Sequence, residues 1–121
     1  MDLYTIAIPQ WRKAKARHIE LFDITVKSGY KPFAPYDDVL WAYKRGEVSD
    51  EEYTQLYLEK LRKRFIEAPE DFEAFLERPG PLAIACYCKA GTFCHRHLYL
   101  QYILEVAEDN GYAVQYRGEI L

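Results

Sequence analysis

The run Leu82–Cys86 (LAIAC) constrains this chain more than any other segment. Five apolar residues follow the breaker Pro79-Gly80-Pro81, and a polar loop and a long amphipathic stretch come after them. Prolines and glycine at one end of a short unbroken apolar run favour a strand over a helix. A strand apolar on every position, not on alternate ones, must be covered on both faces, as in a parallel sheet. Leu3–Ile8 (LYTIAI) reads the same way and closes at Pro9. Ile19–Val26 (IELFDITV) alternates and ends at Ser28-Gly29, and Tyr112–Tyr116 reads as a final strand.

Helical patterns lie between these runs. Ser49 with Glu52 forms a capping box, with Asp50 and Glu51 in the first turn. Tyr53, Leu56, Tyr57, Leu61 and Phe65 then recur at helical spacing up to Pro69. Asp37–Arg45 and Glu70–Leu76 read as shorter helices. The Lys31–Pro35 stretch, with two prolines, cannot be regular helix. A last helix runs from about Cys94 to Asp109 on a stripe of Leu100, Ile103, Leu104 and Ala107, with Asn110-Gly111 as its C-cap. Strands alternating with helices predict a single α/β domain over residues 1–121. Its expected form is a three-layer sandwich with a mostly parallel, Rossmann-like sheet, in which the strands at Leu3–Ile8, Ile19–Val26 and Leu82–Cys86 neighbour one another.

Composition narrows the function classes. A net charge of −3 with 29% charged residues is an ordinary solvated surface, not that of a bulk nucleic-acid binder. No run approaches the roughly 20 apolar residues of a membrane span. Met1–Tyr4 has no signal-peptide character, so the expected location is cytoplasmic, with cysteines as thiols. The three cysteines, Cys86, Cys88 and Cys94, fall within nine positions, a pattern that reads as a site and not as a disulfide framework.

The candidate site is Cys86–Arg96, a strand–loop–helix junction. Ligands of open α/β sheets bind beyond the carboxyl ends of strands, and a helix N-terminus favours anions and thiolates. Cys94 is therefore expected to be the most reactive thiol, beside His95 and Arg96, with Cys86 the other candidate nucleophile and His95 a proton shuttle. Arg96 is expected to grip a phosphate or carboxylate, with Lys89, Thr92 and Asp23 as further substrate contacts. Asp23 reads equally well as a solvent-facing residue of an edge strand.

Cys86, Cys88, Cys94, His95 and His97 have ligand chemistry, but their spacing matches no standard zinc arrangement, so no metal and no cofactor are expected. The Cys-x₅-Arg spacing of cysteine phosphatases is absent, as is the Cys-x-x-Cys of thioredoxin-like proteins. Trp11–His18 is a basic patch that reads as a phosphate or nucleic-acid contact or as a solvated helix face.

The stretch Ala85-Cys86-Tyr87-Cys88-Lys89 with Phe93-Cys94-His95-Arg96 resembles the signature of domain-of-unknown-function family 488. There a strand ends in Cys, and Cys-His-Arg opens a helix. Asp23-Ile24-Thr25, Phe33-Ala34-Pro35, Gly46 with Tyr53 and Tyr57, and Tyr116-Arg117-Gly118-Glu119 resemble its short single-domain members. Cys88 stands where the commoner form has a polar or acidic residue. The resemblance implies this fold and this site, and no activity. The residues themselves point to a cysteine-dependent enzyme acting on a phosphate-bearing substrate, such as a nucleotide or nucleic-acid end. The alternative is a non-enzymatic module holding an anion or a metal.

Overall fold

The computed structural model describes residues 1–121. Four strands form one sheet: β1 (Asp2–Ala7), β2 (Glu20–Asp23), β3 (Leu82–Cys86) and β4 (Gln115–Ile120). Their order is β2-β3-β1-β4, and every pairing is parallel. The helices are α1 (Trp11–Ala16), α2 (Asp37–Lys44), α3 (Asp50–Glu67), α4 (Pro69–Leu76) and α5 (His95–Asp109). The mixed α/β fold with a parallel sheet is as expected. The three strands expected to neighbour one another do so, with β3 between β2 and β1, and β4 pairs with the other edge of β1.

The two faces of the sheet are covered unequally. Leu3, Leu82 and Ile84 pack with Tyr57, Leu61, Phe72, Phe75, Tyr99 and Ile103 in the larger core, under α3, α4 and α5. On the other face Ile6, Ala83, Ala85 and Ile120 form a smaller cluster with Ala14 of the short α1 and Ile19, flanked by the partly buried Tyr4, Ile8 and Leu21. Two alanines of β3 let that helix approach closely, which is why LAIAC alternates in size though not in polarity. No helix is long and apolar enough to cross a membrane.

Local signals set several helix ends. Ser49 Oγ accepts from the Glu52 amide, and the Glu52 carboxylate accepts from the Ser49 amide, completing the capping box. Pro69 stops α3 and opens α4 at its first turn, where its missing N–H costs nothing. Gly111, at φ +76°, follows the Asn110 cap of α5.

Two strands differ from the sequence reading. β2 ends at Asp23 because the Asp23 carboxylate accepts from the Thr25 amide (2.8 Å) and from Ser28 Oγ (2.7 Å), which turns the chain. Gly29 packs against that turn, where a Cβ would lie 2.3 Å from the Thr25 nitrogen. β4 starts three residues later than expected and runs to Ile120. It is an edge strand with Gln115, Tyr116 and Arg117 exposed, so no apolar run marks it. Its register shifts at Gly118, whose φ of +117° suits only glycine.

Candidate functional site

β1 and β3 end side by side, at Ala7 and Cys86, and from there the chain leaves toward opposite faces, to α1 and to α5. A cleft of about 510 Å³ opens beyond the carboxyl ends of β2 and β3 on the α5 side. Its walls come from the loop after β2 (Thr25, Val26, Lys27, Lys31), from α2 (Asp37, Leu40, Trp41, Tyr43, Lys44), from Tyr53 of α3 and from Phe93. Cys86, Tyr87, Cys88, Cys94 and His95 complete the lining. The strand–loop–helix junction thus reaches a cavity of the size that takes a small ligand.

The three sulfurs converge, all within 4.8 Å of one another. Cys86 ends a fully buried strand, and Cys94 caps α5 with extended backbone, so both side chains are buried. Their Sγ atoms are in contact across a Cα separation of 7.8 Å, while Cys88 is free and exposed. Cys94 is therefore buried and not the accessible thiol expected of it, and the exposed sulfur is that of Cys88. The physical reason is that the cap position turns Cys94 inward beneath the loop, while Cys88 stands two residues past the strand end. At neutral pH a limiting amount of iodoacetamide is therefore expected to label Cys88 first in metal-free protein. Peptide mass spectrometry showing Cys94 modified ahead of Cys88 would contradict this placement.

Arg96 is fully buried, and its fork is already filled. Nε and Nη2 donate to the two oxygens of Glu119 (3.3 and 2.7 Å), and Nη1 donates to Cys86 Sγ (3.0 Å) and the Cys88 carbonyl (2.8 Å). Burial pushes Glu119 up, yet the Arg96 guanidinium and a hydrogen bond from Thr5 bring its carboxyl below the ordinary value. Arg96 is therefore not placed as an external anion ligand. It ties β4, the strand-end cysteine and the loop together.

His95 is buried as well. Its Nε2 must donate to the Ile24 carbonyl (2.8 Å), since that oxygen can only accept, so Nδ1 carries the lone pair. Nδ1 lies 3.9 Å from Cys94 Sγ. Burial, aided by the Arg96 charge, pushes the imidazole down to about 4 against the Ile24 hydrogen bond. Neutral at pH 7 and buried at the wall of the cleft, His95 ties the start of α5 to the loop after β2 through the Ile24 carbonyl. His97 is half-buried, with Nε2 3.9 Å from Glu119.

The remaining expected contacts serve the loops. Asp23 makes the turn described above and does not line the cleft. Thr92 donates through its amide and its hydroxyl to the Lys89 carbonyl, so the pair closes its own turn, outside the cleft lining. The Trp11–His18 patch lies on the α1 face, where Arg12 and Lys15 stand over the Trp11 ring. Sequence reading missed Lys27, Lys31, Trp41, Tyr43 and Lys44 as site residues. The one signal for them was a tryptophan on a short helix, and Trp41 is 52% exposed. No protein-family model, no curated protein and no solved structure matches the chain.

Proposed function

We propose that this protein binds a nucleotide-like ligand, planar and phosphate-bearing, in the cleft beyond β2 and β3, and acts on it with cysteine chemistry. The observation that carries the reading is the cleft's mixed lining: rings of Trp41, Tyr43, Tyr53 and Phe93, lysines 27, 31 and 44, and three sulfurs. Aromatic faces stack a base, and ammonium groups bind phosphate as point charges. Lysines take here the part that the sequence suggested for Arg96. Membership of family 488, and a reducing cytoplasmic setting that keeps the thiols available, belong to the same proposal. The Cys-His-Arg junction supports the family reading by putting Cys94 at the cleft and Arg96 beneath it.

A second reading has its own support. Arg96 and His95, expected to do chemistry, are both buried and bonded internally. A binding module that holds the same ligand without turning it over needs neither.

Trp41 fluorescence in a Trp11→Phe background tests the shared part. Quenching by adenosine or uridine monophosphate, weakened about tenfold by Lys44→Ala, is the expected result. No quenching at millimolar nucleotide would sink both readings. Phosphorus NMR of nucleotide mono-, di- and triphosphates then separates them. Turnover lost on alkylating Cys88 supports the enzyme, and binding that survives alkylation without turnover supports the module.

A further inference from the structure

We infer that Cys86, Cys88 and Cys94 form a three-thiolate site for a soft divalent ion of the zinc class, with the fourth coordination position open to the cleft. The sulfurs approach from three different parts of the junction: the strand end, the loop and the helix cap. Mutual distances within 4.8 Å let one ion reach all three sulfurs; Zn–S bonds of about 2.3 Å hold two sulfurs about 3.8 Å apart, so the contacting Cys86 and Cys94 sulfurs part to admit it.

The backbone favours an ion over a lasting bridge. The Cα atoms of Cys86 and Cys94 are 7.8 Å apart. That exceeds the roughly 7 Å at which two cysteines can be bridged without backbone movement. An ion between two sulfurs lengthens the span and fits that separation. Three thiolates select soft ions, and all three cysteines line the cleft, so the open position faces it. Three protein ligands with one open corner is the arrangement of catalytic zinc, not of closed structural sites.

The surroundings fit as well. Arg96 Nη1 donates to Cys86 Sγ at 3.0 Å, which orients that sulfur and offsets part of the negative charge that three thiolates leave on a divalent ion. Glu119 and the Cys88 carbonyl in turn hold Arg96. Chain spacing argued against metal because it compared sequence intervals with those of zinc knuckles. Convergence across a strand–loop–helix junction has no such interval.

Loading requires the reduced chain. Where Cys86 and Cys94 have been oxidised to a disulfide, that bond takes two electrons from a thiol or phosphine reductant and two protons, giving two thiols. Ion binding then displaces the thiol protons to solvent. The inference concerns the same sulfurs as the proposed function but does not depend on the nucleotide.

The test is an anaerobic Co²⁺ titration of the full chain after phosphine reduction, with three free thiols verified by a thiol-counting reagent. Thiolate-to-cobalt charge-transfer absorption should saturate at one ion per chain and vanish when Zn²⁺ is added. Cys88→Ser changes an exposed position, so the variant should keep its far-ultraviolet circular dichroism. It should lose about one third of the absorption, two thiolates remaining of three, and bind Co²⁺ at least about tenfold more weakly. No charge-transfer absorption from a fully reduced chain would overturn the inference. So would absorption and affinity unchanged by Cys88→Ser. Nucleotide quenching of Trp41 in metal-free Trp11→Phe protein reads the ligand proposal separately, so either can fail alone.

Discussion

Replacing Glu119 by alanine should destabilise the protein by about 3–5 kcal/mol, the cost of stranding a buried charge without its partner. Arg96 has no solvent exposure, and Glu119 supplies both acceptors for one edge of its fork. Without Glu119 the guanidinium keeps only Cys86 Sγ and the Cys88 carbonyl, neither of them a carboxylate. Urea unfolding followed by circular dichroism measures the loss. The double variant Arg96→Leu/Glu119→Leu should recover most of it, because replacing both members of a buried pair by apolar side chains is often neutral or better. If Glu119→Ala costs less than about 1 kcal/mol, the pair behaves as a solvated surface bridge. Arg96 would then be free for the anion role.

Phe33→Ala should cost a similar amount, about 3–5 kcal/mol, through lost apolar contact and the cavity left behind. Phe33 is completely buried among Phe22, Phe72, Phe75 and Tyr99, with ring centroids 4.6 to 6.0 Å away. Its carbonyl also accepts from the buried Tyr57 hydroxyl at 2.6 Å. The residue therefore anchors the segment between β2 and α2, which carries Lys27 and Lys31 into the cleft. Urea unfolding should show the lost stability, and Trp41 quenching by nucleotide should weaken in the folded fraction. A loss under about 1.5 kcal/mol, the scale of a volume-conserving swap, would mean that the aromatic cluster repacks without it.

Elements set by local chemistry were legible from residues alone. LAIAC announced a strand covered twice, Ser49 with Glu52 announced the start of α3, and Asn110-Gly111 announced the end of α5. These signals act between residues a few positions apart, and periodicity or a cap states them in full. The place of the cysteine cluster followed too, because a loop that leaves a buried parallel strand lies beyond the carboxyl ends of the sheet.

The roles of the side chains at that site were decided by tertiary structure. Arg96 looks the same in sequence whether it faces a ligand or a carboxylate, and only the parallel pairing of β4 with β1 brings Glu119 under it. That strand is an exposed edge, so its sequence carries no apolar run to place it. Cys94 looks accessible because it precedes a helix, but the extended backbone of the cap turns its sulfur toward Cys86. The three lysines of the cleft and the rings of Trp41, Tyr43 and Tyr53 come from residues 27–53, far along the chain from the cysteines, and meet them only when α2 and α3 cover the end of the sheet. Sequence patterns report which face of an element is apolar; which groups from distant elements share a cleft depends on packing, and packing is not written in any short interval.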